Sequence, residues 1–414
     1  MKRRLNFLIV LSVVLMSFSL VSCERIRNVI KENKAEKGDA EAQYFLGKSY
    51  FKGINGYPED FEKGVYWSLK SAGQGNAKAQ YNLGVSYEWG KGVEQNYFEA
   101  VYWYRKSAEQ GFAVAQRCLG FCYETGRGVA KSDVEAVKWY RSSAEQGNAI
   151  AQYYLGLCYI SGQGVEQSDI EAINLFRMSA NQGNNDAQYN LGLCYKYGQG
   201  VEQNYNEAVN WFRKSAEQGN ADAQCNLGLC YKYGQGVEQN YNEAVNWFRK
   251  SAEQGYADAQ YNLGLCYVSS KCVEQNYNEA VNWFRKSAEQ GNADAQCNLG
   301  WCYEHGKGVK QSDIEAVKWY RKSAEQGNAI AQFNLGLCYY YGHAVRQSYV
   351  EAVNCFCKSV SQGFANAQYY LGWCYQYGQG VAKNKTEAER LYRMAAAQGN
   401  EGAKLALNNM GVIW

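Results

Sequence analysis

The sequence contains almost no proline and almost no histidine. Pro58 is the single proline in 414 residues, and His305 and His343 are the two histidines. Since proline breaks helices and typical usage is about 5%, its scarcity allows helices to run with little interruption. Neither histidine has an acidic or nucleophilic partner suggested by spacing, which disfavours a Ser-His-Asp site and a histidine-based zinc site.

An excess of charge of one sign is also missing. The chain has 43 Lys and Arg residues against 40 Asp and Glu residues. The formal net charge of +3 equals the three basic residues near the N-terminus, Lys2, Arg3 and Arg4. Because no basic run remains in the rest of the chain, we expect no nucleic-acid partner.

The first 22 residues predict a cleaved signal peptide. A basic start is followed by an apolar run over residues 5–21 and by small residues before Cys23. This pattern resembles a bacterial lipoprotein signal, in which Cys23 carries the lipid and anchors the chain to a membrane of the cell envelope, on its periplasmic or cell-surface side. An uncleaved membrane helix and an ordinary secretory signal are alternatives, although 17 apolar residues are at the short limit for spanning a bilayer. Residues 23–38 are then a linker or a leading helix.

A repeat with a period of 36 residues fills the rest of the chain. The segment NYNEAVNWFRKSAEQG is identical at Asn204, Asn240 and Asn276. The motif Ala-x-Ala-Gln recurs from 40 to 365 at intervals of 36 after a first interval of 37, with Asn-Asp-Ala-Gln at 185–188. A catalytic site is built once, whereas verbatim repetition indicates a unit used for stacking. We predict ten repeats over 39–400 and a capping half repeat over 401–414.

Each repeat is predicted to form two amphipathic helices. In the repeat that begins at Asn220, this residue is a good N-cap, and Ala223 and Leu227 lie on one face of the first helix. Gly-Gln-Gly-Val ends that helix, because glycine tolerates a left-handed backbone. Gly228, inside the first helix, has an equivalent in every full repeat. Mid-helix glycine costs about 1 kcal/mol relative to alanine, so we expect close approach of the backbones of two helices there. The predicted fold class is all-α, an α/α solenoid.

These motifs resemble the Sel-one-like repeat, a relative of the tetratricopeptide repeat. Leu-Gly-x-x-Tyr-x-x-Gly-x-Gly-Val is followed by Ala-x-x-Trp-x-x-x-Ala and a closing Gly, and the match covers residues 39–414. The resemblance implies a right-handed superhelix whose first helices line the concave side. It also implies a non-enzymatic scaffold for protein or peptide partners, without a cofactor. The Glu and Gln of the recurrent Ala-Glu-Gln-Gly segment are interpreted as surface and turn residues.

Cysteine is abundant and mostly periodic. Eight cysteines form a ladder with one member per repeat, namely Cys122, Cys158, Cys194, Cys230, Cys266, Cys302, Cys338 and Cys374. Equivalent residues in adjacent layers should be about 8 to 10 Å apart, and a disulfide needs Cα atoms within about 7 Å. We therefore expect the ladder to be buried, reduced and structural. Cys272, Cys355 and Cys357 lie outside the ladder, and their redox state is open.

Repeat seven departs from its neighbours in the turn between its helices. It contains Val-Ser-Ser-Lys-Cys-Val at 268–273 and so lacks both turn glycines. The turn of repeat nine, at 342–345, loses one glycine of the pair. Drift in a redundant array explains these departures as well as function does.

Aromatic residues at two positions of the first helix are candidate partner-binding residues, because tyrosine combines apolar area with a polar tip. The fifth-position candidates are Tyr81, Tyr153, Tyr189, Tyr261, Phe333 and Tyr369, and the late-position candidates are Trp89, Tyr197, Tyr233, Tyr341 and Tyr377. Packing between helices explains these rings equally well.

The predicted function is a lipid-anchored extracytoplasmic scaffold that binds its partner on the concave face. The alternatives are a cell-envelope enzyme or enzyme-associated factor acting on wall polymer, and a thiol-based redox or metal protein.

Overall fold

The structure, a computed structural model, describes residues 26–270 and 272–412. Within these ranges there are twenty-two α-helices and no strand. None of these helices is long and apolar enough to cross a membrane. The predicted signal peptide at 1–22 and the predicted lipidation site Cys23 lie outside the described residues.

The helices follow the predicted repeat, two to each repeat. Helix α1 covers residues 26–36. The first helices of the repeats are α2 (Ala40–Lys52), α4 (Ala77–Trp89), α6 (Ala113–Thr125), α8 (Ala149–Ser161), α10 (Asn185–Tyr197), α12 (Ala221–Tyr233), α14 (Ala257–Val268), α16 (Ala293–His305), α18 (Ala329–Tyr341) and α20 (Ala365–Tyr377). The second helices are α3 (Phe61–Gly73), α5 (Tyr97–Glu109), α7 (Asp133–Glu145), α9 (Asp169–Asn181), α11 (Tyr205–Glu217), α13 (Tyr241–Glu253), α15 (Tyr277–Glu289), α17 (Asp313–Glu325), α19 (Tyr349–Val360) and α21 (Lys385–Ala397). Helix α22 (Glu401–Asn409) closes the series.

The chain divides into two compact units, Met1–Asn204 and Tyr205–Trp414, and the boundary falls between the helices of the fifth repeat. Within each unit, the first helix of a repeat packs on the second, and the second packs on the first helix of the next repeat. In the first unit, Ala35 of α1 is buried against Ala42 and Leu46 of α2. In the second unit, Leu407 of α22 is buried against α21. This nearest-neighbour packing confirms the predicted all-α solenoid.

Polar side chains cap the start of most helices, and a glycine caps the end of most first helices. The side chain of Asn76 accepts a hydrogen bond of 3.0 Å from the backbone N–H of Ala79 at the start of α4. The Ser132 hydroxyl accepts one of 3.3 Å from the N–H of Glu135 in α7. Helix α4 ends at Gly90, whose φ of 66° lies in the left-handed region. The helix boundaries therefore follow from local sequence.

As predicted, the second-helix backbone lies close to the glycine inside most first helices, and the nearest second-helix atoms there belong to a buried ring, which the sequence did not predict. A Cβ on Gly228 would lie 2.7 Å from the ring of Phe248, which is closer than real Cβ contacts. Repeat one reverses the arrangement. There the ring belongs to Phe51 of the first helix, and a Cβ on Gly64 of the second helix would lie 2.5 Å from it. Only glycine leaves room for these buried rings.

Candidate functional site

The fifth-position candidates pack against the second helix of their own repeat. Their ring centroids lie 5.8 to 6.0 Å from a buried second-helix ring, in the pairs Tyr81–Tyr104, Tyr153–Phe176, Tyr261–Phe284, Phe333–Phe356 and Tyr369–Tyr392. Phe333 is buried, and Tyr81, Tyr153, Tyr189, Tyr261 and Tyr369 are partly buried. The five residues of these pairs therefore have a packing role, and the partly buried tyrosines remain in part accessible.

The late-position candidates extend into solvent. Their exposed fractions are 64% for Trp89, 67% for Tyr197, 60% for Tyr233, and 51% for both Tyr341 and Tyr377. Lys196 and Lys232 place their Nζ atoms 5.2 Å from the ring centroids of Tyr197 and Tyr233, respectively. Tyrosine and tryptophan are enriched at binding surfaces, so these exposed rings remain candidates for partner contact. The two sets of candidates thus lie on the same helices and differ in environment.

Two adjoining cavities form a groove along the first helices of the first unit, which we call the N-terminal groove. The first cavity has a volume of about 450 Å³ and is lined by Tyr44, Lys48, Phe51, Lys52, Phe61, Lys78, Tyr81, Asn82, Val85, Ser86, Lys91 and Phe112. The second has a volume of about 280 Å³ and is lined by Tyr81, Val85, Glu88, Trp89, Tyr104, Arg117, Cys118, Phe121 and Tyr154. Since both share Tyr81 and Val85, the groove is continuous from α2 to α8.

The N-terminal groove is basic at its rim and aromatic at its walls. The Lys78 Nζ lies 6.0 Å from the ring centroid of Tyr44, and the Lys91 Nζ lies 5.3 Å from that of Phe61. Within the described residues, no carboxylate lies within ion-pair distance of Lys48, Lys52, Lys78 or Lys91. The groove therefore presents unpaired cations beside apolar surface.

Arg117 adds a further cation to the second cavity. It stands at the fifth position of repeat three, where most other repeats have an aromatic ring. Its Nη2 contacts the Cys118 Sγ at 3.4 Å, and its buried Nε has no hydrogen-bond partner among the described residues. Glu88, in the same cavity, already accepts a hydrogen bond of 2.5 Å from the Tyr104 hydroxyl. A buried donor without an acceptor is rare in proteins, and this one lines a cavity.

The basic residues of the groove were not identified from the sequence. A signal was present, because the repeat position of Lys48 holds Val85, Phe121 and Leu157 in the next three repeats. This departure from an apolar consensus is visible only when the repeats are aligned position by position. Its meaning depends on neighbouring helices that bring the lysines to one groove.

Most other polar residues of the repeat are used for stacking. Gln152, which is buried, donates to the Ala144 carbonyl of the preceding repeat at 3.1 Å and accepts from the Gln182 amide at 2.8 Å. Gln182 belongs to the segment equivalent to Ala-Glu-Gln-Gly, so the interpretation of that glutamine as a surface and turn residue was incomplete. The Ser251 hydroxyl donates to the Ala221 carbonyl at 2.7 Å. These bonds satisfy buried carbonyl groups between helices.

The cysteine ladder is buried, as predicted. Its eight members are between 0 and 7% exposed. Burial raises the pKa of Cys194 and of Cys302 to about 11. All fourteen cysteines in the described part of the chain are free. Among the described residues, no group of three or more His, Cys, Asp or Glu side chains could hold a metal ion.

The two histidines lie at the ends of first helices. The His305 ring stacks on Trp301 with 4.7 Å between centroids, and the His343 ring lies 5.6 Å from that of Tyr341. The His305 Nδ1 lies 3.0 Å from the Trp301 carbonyl oxygen. Both histidines are thus engaged by aromatic neighbours.

Stacked helical hairpins with grooves along one helix face define a repeat protein of the scaffold class. The Sel1 repeat model matches ten consecutive segments, at residues 40–76, 77–112, 113–148, 149–184, 185–220, 221–256, 257–292, 293–328, 329–364 and 365–400. The chain belongs to the Sel1 repeat family, whose members generally mediate protein–protein interactions. No curated protein matches it.

The solved structures that are similar to this chain include the following two. One is a protective antigen present in uropathogenic Escherichia coli strains that displays an SLR fold. It is 38% identical with a TM-score of 0.84, and the match covers 91% of this chain and 81% of that one. The other is a Sel1 repeat protein from Oxalobacter formigenes. It is 33% identical with a TM-score of 0.56, and the match covers 73% of this chain and 87% of that one.

Proposed function

We propose that this protein is a lipid-anchored scaffold of the bacterial cell envelope that binds acidic segments of partner proteins along its first helices. The observation that supports this function most directly is the N-terminal groove. Its first cavity, about 450 Å³, falls within the range of about 300 to 1,000 Å³ that is typical of ligand sites. Its continuation into the second cavity suits an extended peptide better than a compact small molecule.

The lining residues define the chemistry of the partner. Aromatic walls formed by Tyr44, Phe51 and Tyr81 favour an apolar or aromatic side chain. The rim lysines and Arg117 favour carboxylates, because they are cations without an acidic partner among the described residues. A peptide that alternates acidic and aromatic residues would satisfy both parts of the groove. The exposed late-position rings extend the contact surface within each unit.

The proposed location rests on the N-terminal sequence. Residues 2–4 are basic, residues 5–21 are apolar, and Cys23 follows. The similar Escherichia coli protein is described as a protective antigen, which agrees with export of this chain. We expect Cys23→Ser to abolish labelling by a fatty-acid probe and to release the protein into the soluble fraction. Membrane retention of the unlabelled variant would instead support a spanning helix.

Peptide binding tests the partner chemistry. Three fluorescent peptides of equal length would carry the same Phe residues and differ only in having Glu, Gln or Lys at the alternate positions. We expect the purified full chain to bind the Glu peptide most tightly and the Lys peptide least. Binding of the Glu peptide should weaken as salt is added, since salt screens exposed charges.

Reversing the charge of two lysines tests whether the peptide binds in the N-terminal groove. Lys48→Glu combined with Lys78→Glu should weaken binding of the Glu peptide at least tenfold, which corresponds to about 1.4 kcal/mol. The matched control is Lys70→Glu combined with Lys106→Glu, which reverses two exposed lysines on second helices of the same unit. Equal binding of all three peptides, or an equal loss in the control variant, would contradict the proposal.

A further inference from the structure

The second glycine of the turn between the two helices of a repeat has a structural requirement that repeat seven does not meet. In repeat six, a Cβ on Gly236 would lie 2.2 Å from the carbonyl oxygen of Tyr205. In repeat eight, a Cβ on Gly308 would lie 2.2 Å from that of Tyr277. A side chain at this position therefore requires the surrounding backbone to shift. Cys272 stands at the equivalent position of repeat seven.

The backbone of repeat seven, which lacks both turn glycines, takes a different path. Helix α14 ends at Val268 with 12 residues, and its C-cap Ser269 is extended, with a φ of −93°. Helix α12, in the preceding repeat, has 13 residues and ends at Gly234 with a φ of 68°. In repeat nine the equivalent residue is Ala344, and its backbone keeps a positive φ of 54°. The turn of repeat seven thus differs from those of repeats six and nine.

The reshaped turn brings Cys272 to a ladder cysteine. Cys272 is 7% exposed and Cys266, in the last turn of α14, is 1% exposed, and both belong to one hydrophobic cluster. Both thiols also line one cavity. A disulfide joins cysteines whose Cβ atoms are about 3.5 to 4.5 Å apart, so two cysteines of one cluster that line the same cavity are candidates for such a bond.

A cavity leads from the surface to both thiols. It has a volume of about 360 Å³ and is lined by Cys266 and Cys272 together with Lys232, Tyr233, Tyr241 and Ser269 among others. The far side of the turn is held in place, because the Gln275 amide donates to the Val268 carbonyl at 2.7 Å and the Asn276 N–H donates to the Tyr267 carbonyl at 2.9 Å. A small molecule can therefore approach the thiols while the helices stay packed.

We propose that Cys266 and Cys272 form a redox-active dithiol that closes to an intrachain disulfide by exchange with a low-molecular-weight disulfide. The Cys272 sulfur, as thiolate, attacks one sulfur of the external disulfide and releases the other as a thiolate, which takes up a proton. The Cys266 sulfur loses its proton and attacks the Cys272 sulfur of this mixed disulfide, which releases the second external thiol. The chain loses two thiol hydrogens, and the external disulfide is reduced to two thiols.

The order of these steps follows from the surroundings of the two sulfurs. Burial, together with the neighbouring Cys272 thiol, raises the pKa of Cys266 to about 12. Cys272 is the more exposed of the two, at 7% against 1%. The first exchange therefore takes place at Cys272, and Cys266 acts as the resolving thiol.

The dithiol lies next to a candidate contact residue. Tyr233, which is 60% exposed, lines the same cavity as the two thiols. Closure of the disulfide would pull the end of α14 towards the turn and alter the cavity wall beside this ring. The proposal itself concerns the thiols and does not depend on what the first helices bind.

Peptide mass analysis tests the proposal on the unaltered chain. The folded protein is reduced, freed of reductant, exposed to glutathione disulfide, denatured in an excess of alkylating agent and cleaved with trypsin. Cleavage after Lys250, Lys271 and Arg285 places Cys266 alone in peptide 251–271 and Cys272 alone in peptide 272–285. We expect these two peptides to be recovered joined and two hydrogens lighter than their sum, and to separate on reduction. Cys302, a ladder cysteine without such a neighbour in its turn, should be recovered alkylated.

Two variants distinguish a specific disulfide between Cys266 and Cys272 from general oxidation of thiols. Cys272→Gly restores the turn residue of the other repeats and should leave Cys266 alkylated after the same treatment. Cys302→Ser, which changes the ladder in the next repeat, should leave the joined peptide unchanged. Recovery of Cys266 and Cys272 on separate alkylated peptides would overturn the proposal, as would oxidation of Cys302 to the same extent as the pair.

Discussion

The hydroxyl of Tyr104 in α5 donates a hydrogen bond of 2.5 Å to the Glu88 carboxylate in α4. Equivalent bonds join Tyr140 to Glu124, Tyr320 to Glu304 and Tyr392 to Gln376. Where the second-helix ring is a phenylalanine, the first helix carries another residue type, as in the pairs Phe176 with Ile160, Phe248 with Lys232, and Phe284 with Val268. A buried hydroxyl thus occurs where the facing helix supplies an acceptor, which is the condition for burying a polar group without loss of stability.

This pairing predicts what happens when the Glu and Tyr pair of one repeat is replaced by the Ile and Phe pair of another. Glu88→Ile should destabilise the protein by about 1 to 3 kcal/mol, because the buried Tyr104 hydroxyl loses its acceptor. Adding Tyr104→Phe should recover most of that loss, since the double variant has the Ile160 and Phe176 combination of repeat four. Thermal unfolding and amide hydrogen exchange in α4 and α5 would measure both effects. A double variant as unstable as the single one would show that the bond does not explain the pairing.

Alanine should have opposite effects at two helical glycines. Gly228→Ala should destabilise the protein by about 1 to 3 kcal/mol, because the new Cβ overlaps the Phe248 ring and the core cannot expand freely. Gly73→Ala, at the end of α3, has no atom within 4 Å of the added Cβ. It should be neutral or stabilising by up to about 1 kcal/mol from helix propensity. Denaturant unfolding of the two variants would test the prediction, and stabilisation by Gly228→Ala would contradict it.

The buried glutamine of the repeat should be more sensitive than an exposed one. Gln152→Leu removes the donor to the Ala144 carbonyl and the acceptor of the Gln182 amide. We expect a loss of about 1 to 3 kcal/mol and faster hydrogen exchange at the ends of α7 and α9. The control Gln163→Leu changes an exposed turn residue and should stay within about 0.5 kcal/mol. Equal effects of the two substitutions would indicate that the glutamine bonds add nothing to stacking.

Alkaline pH should unfold the protein through its thiols. The pKa of Cys194 and of Cys302 is about 11 in the folded chain, whereas an unfolded cysteine has a pKa of about 8.5. Because the folded values are raised, the stabilisation is complete below pH 8.5 and is lost as the pH rises towards 11. The melting temperature should therefore fall steadily across that interval, and replacing both cysteines by serine should make the fall shallower. A melting temperature that stays constant from pH 8 to 11 would contradict the prediction.

Substitutions in the two sets of aromatic candidates should have different effects, one set on stability and the other on partner binding. Replacing Tyr153 and Tyr261 by alanine should lower the melting temperature, because each ring packs on a buried phenylalanine and truncating buried aromatics costs up to about 3 to 5 kcal/mol each. Replacing the exposed Trp89 and Tyr233 should change stability by less than about 0.5 kcal/mol each and weaken capture of partners crosslinked in native membranes. Unchanged capture by the folded exposed-ring variant would move the contact to another surface.

The sequence by itself determined the period, the helix boundaries, the fold class and the need for glycine inside each first helix. These features depend on local chemistry, such as the N-cap at Asn76 and the left-handed end at Gly90, and on contacts between neighbours in the chain. Because a solenoid has contacts only between adjacent repeats, local signals repeated ten times specify it almost completely. The burial of the cysteine ladder could be predicted for the same reason, because its position recurs in successive repeats.

Only the tertiary structure decided which residues meet. Tyr81 and Trp89 stand in one helix with similar chemistry, yet one ring packs on Tyr104 and the other faces solvent, because position on the helix surface relative to the second helix sets their environment. The lysines of the N-terminal groove come from separate helices and a turn, so their convergence has no local signature. Cys272 and Cys266 line one cavity in a repeat whose turn lacks both glycines and follows another path. Such outcomes depend on distances between separate elements, which the periodicity of the sequence does not contain.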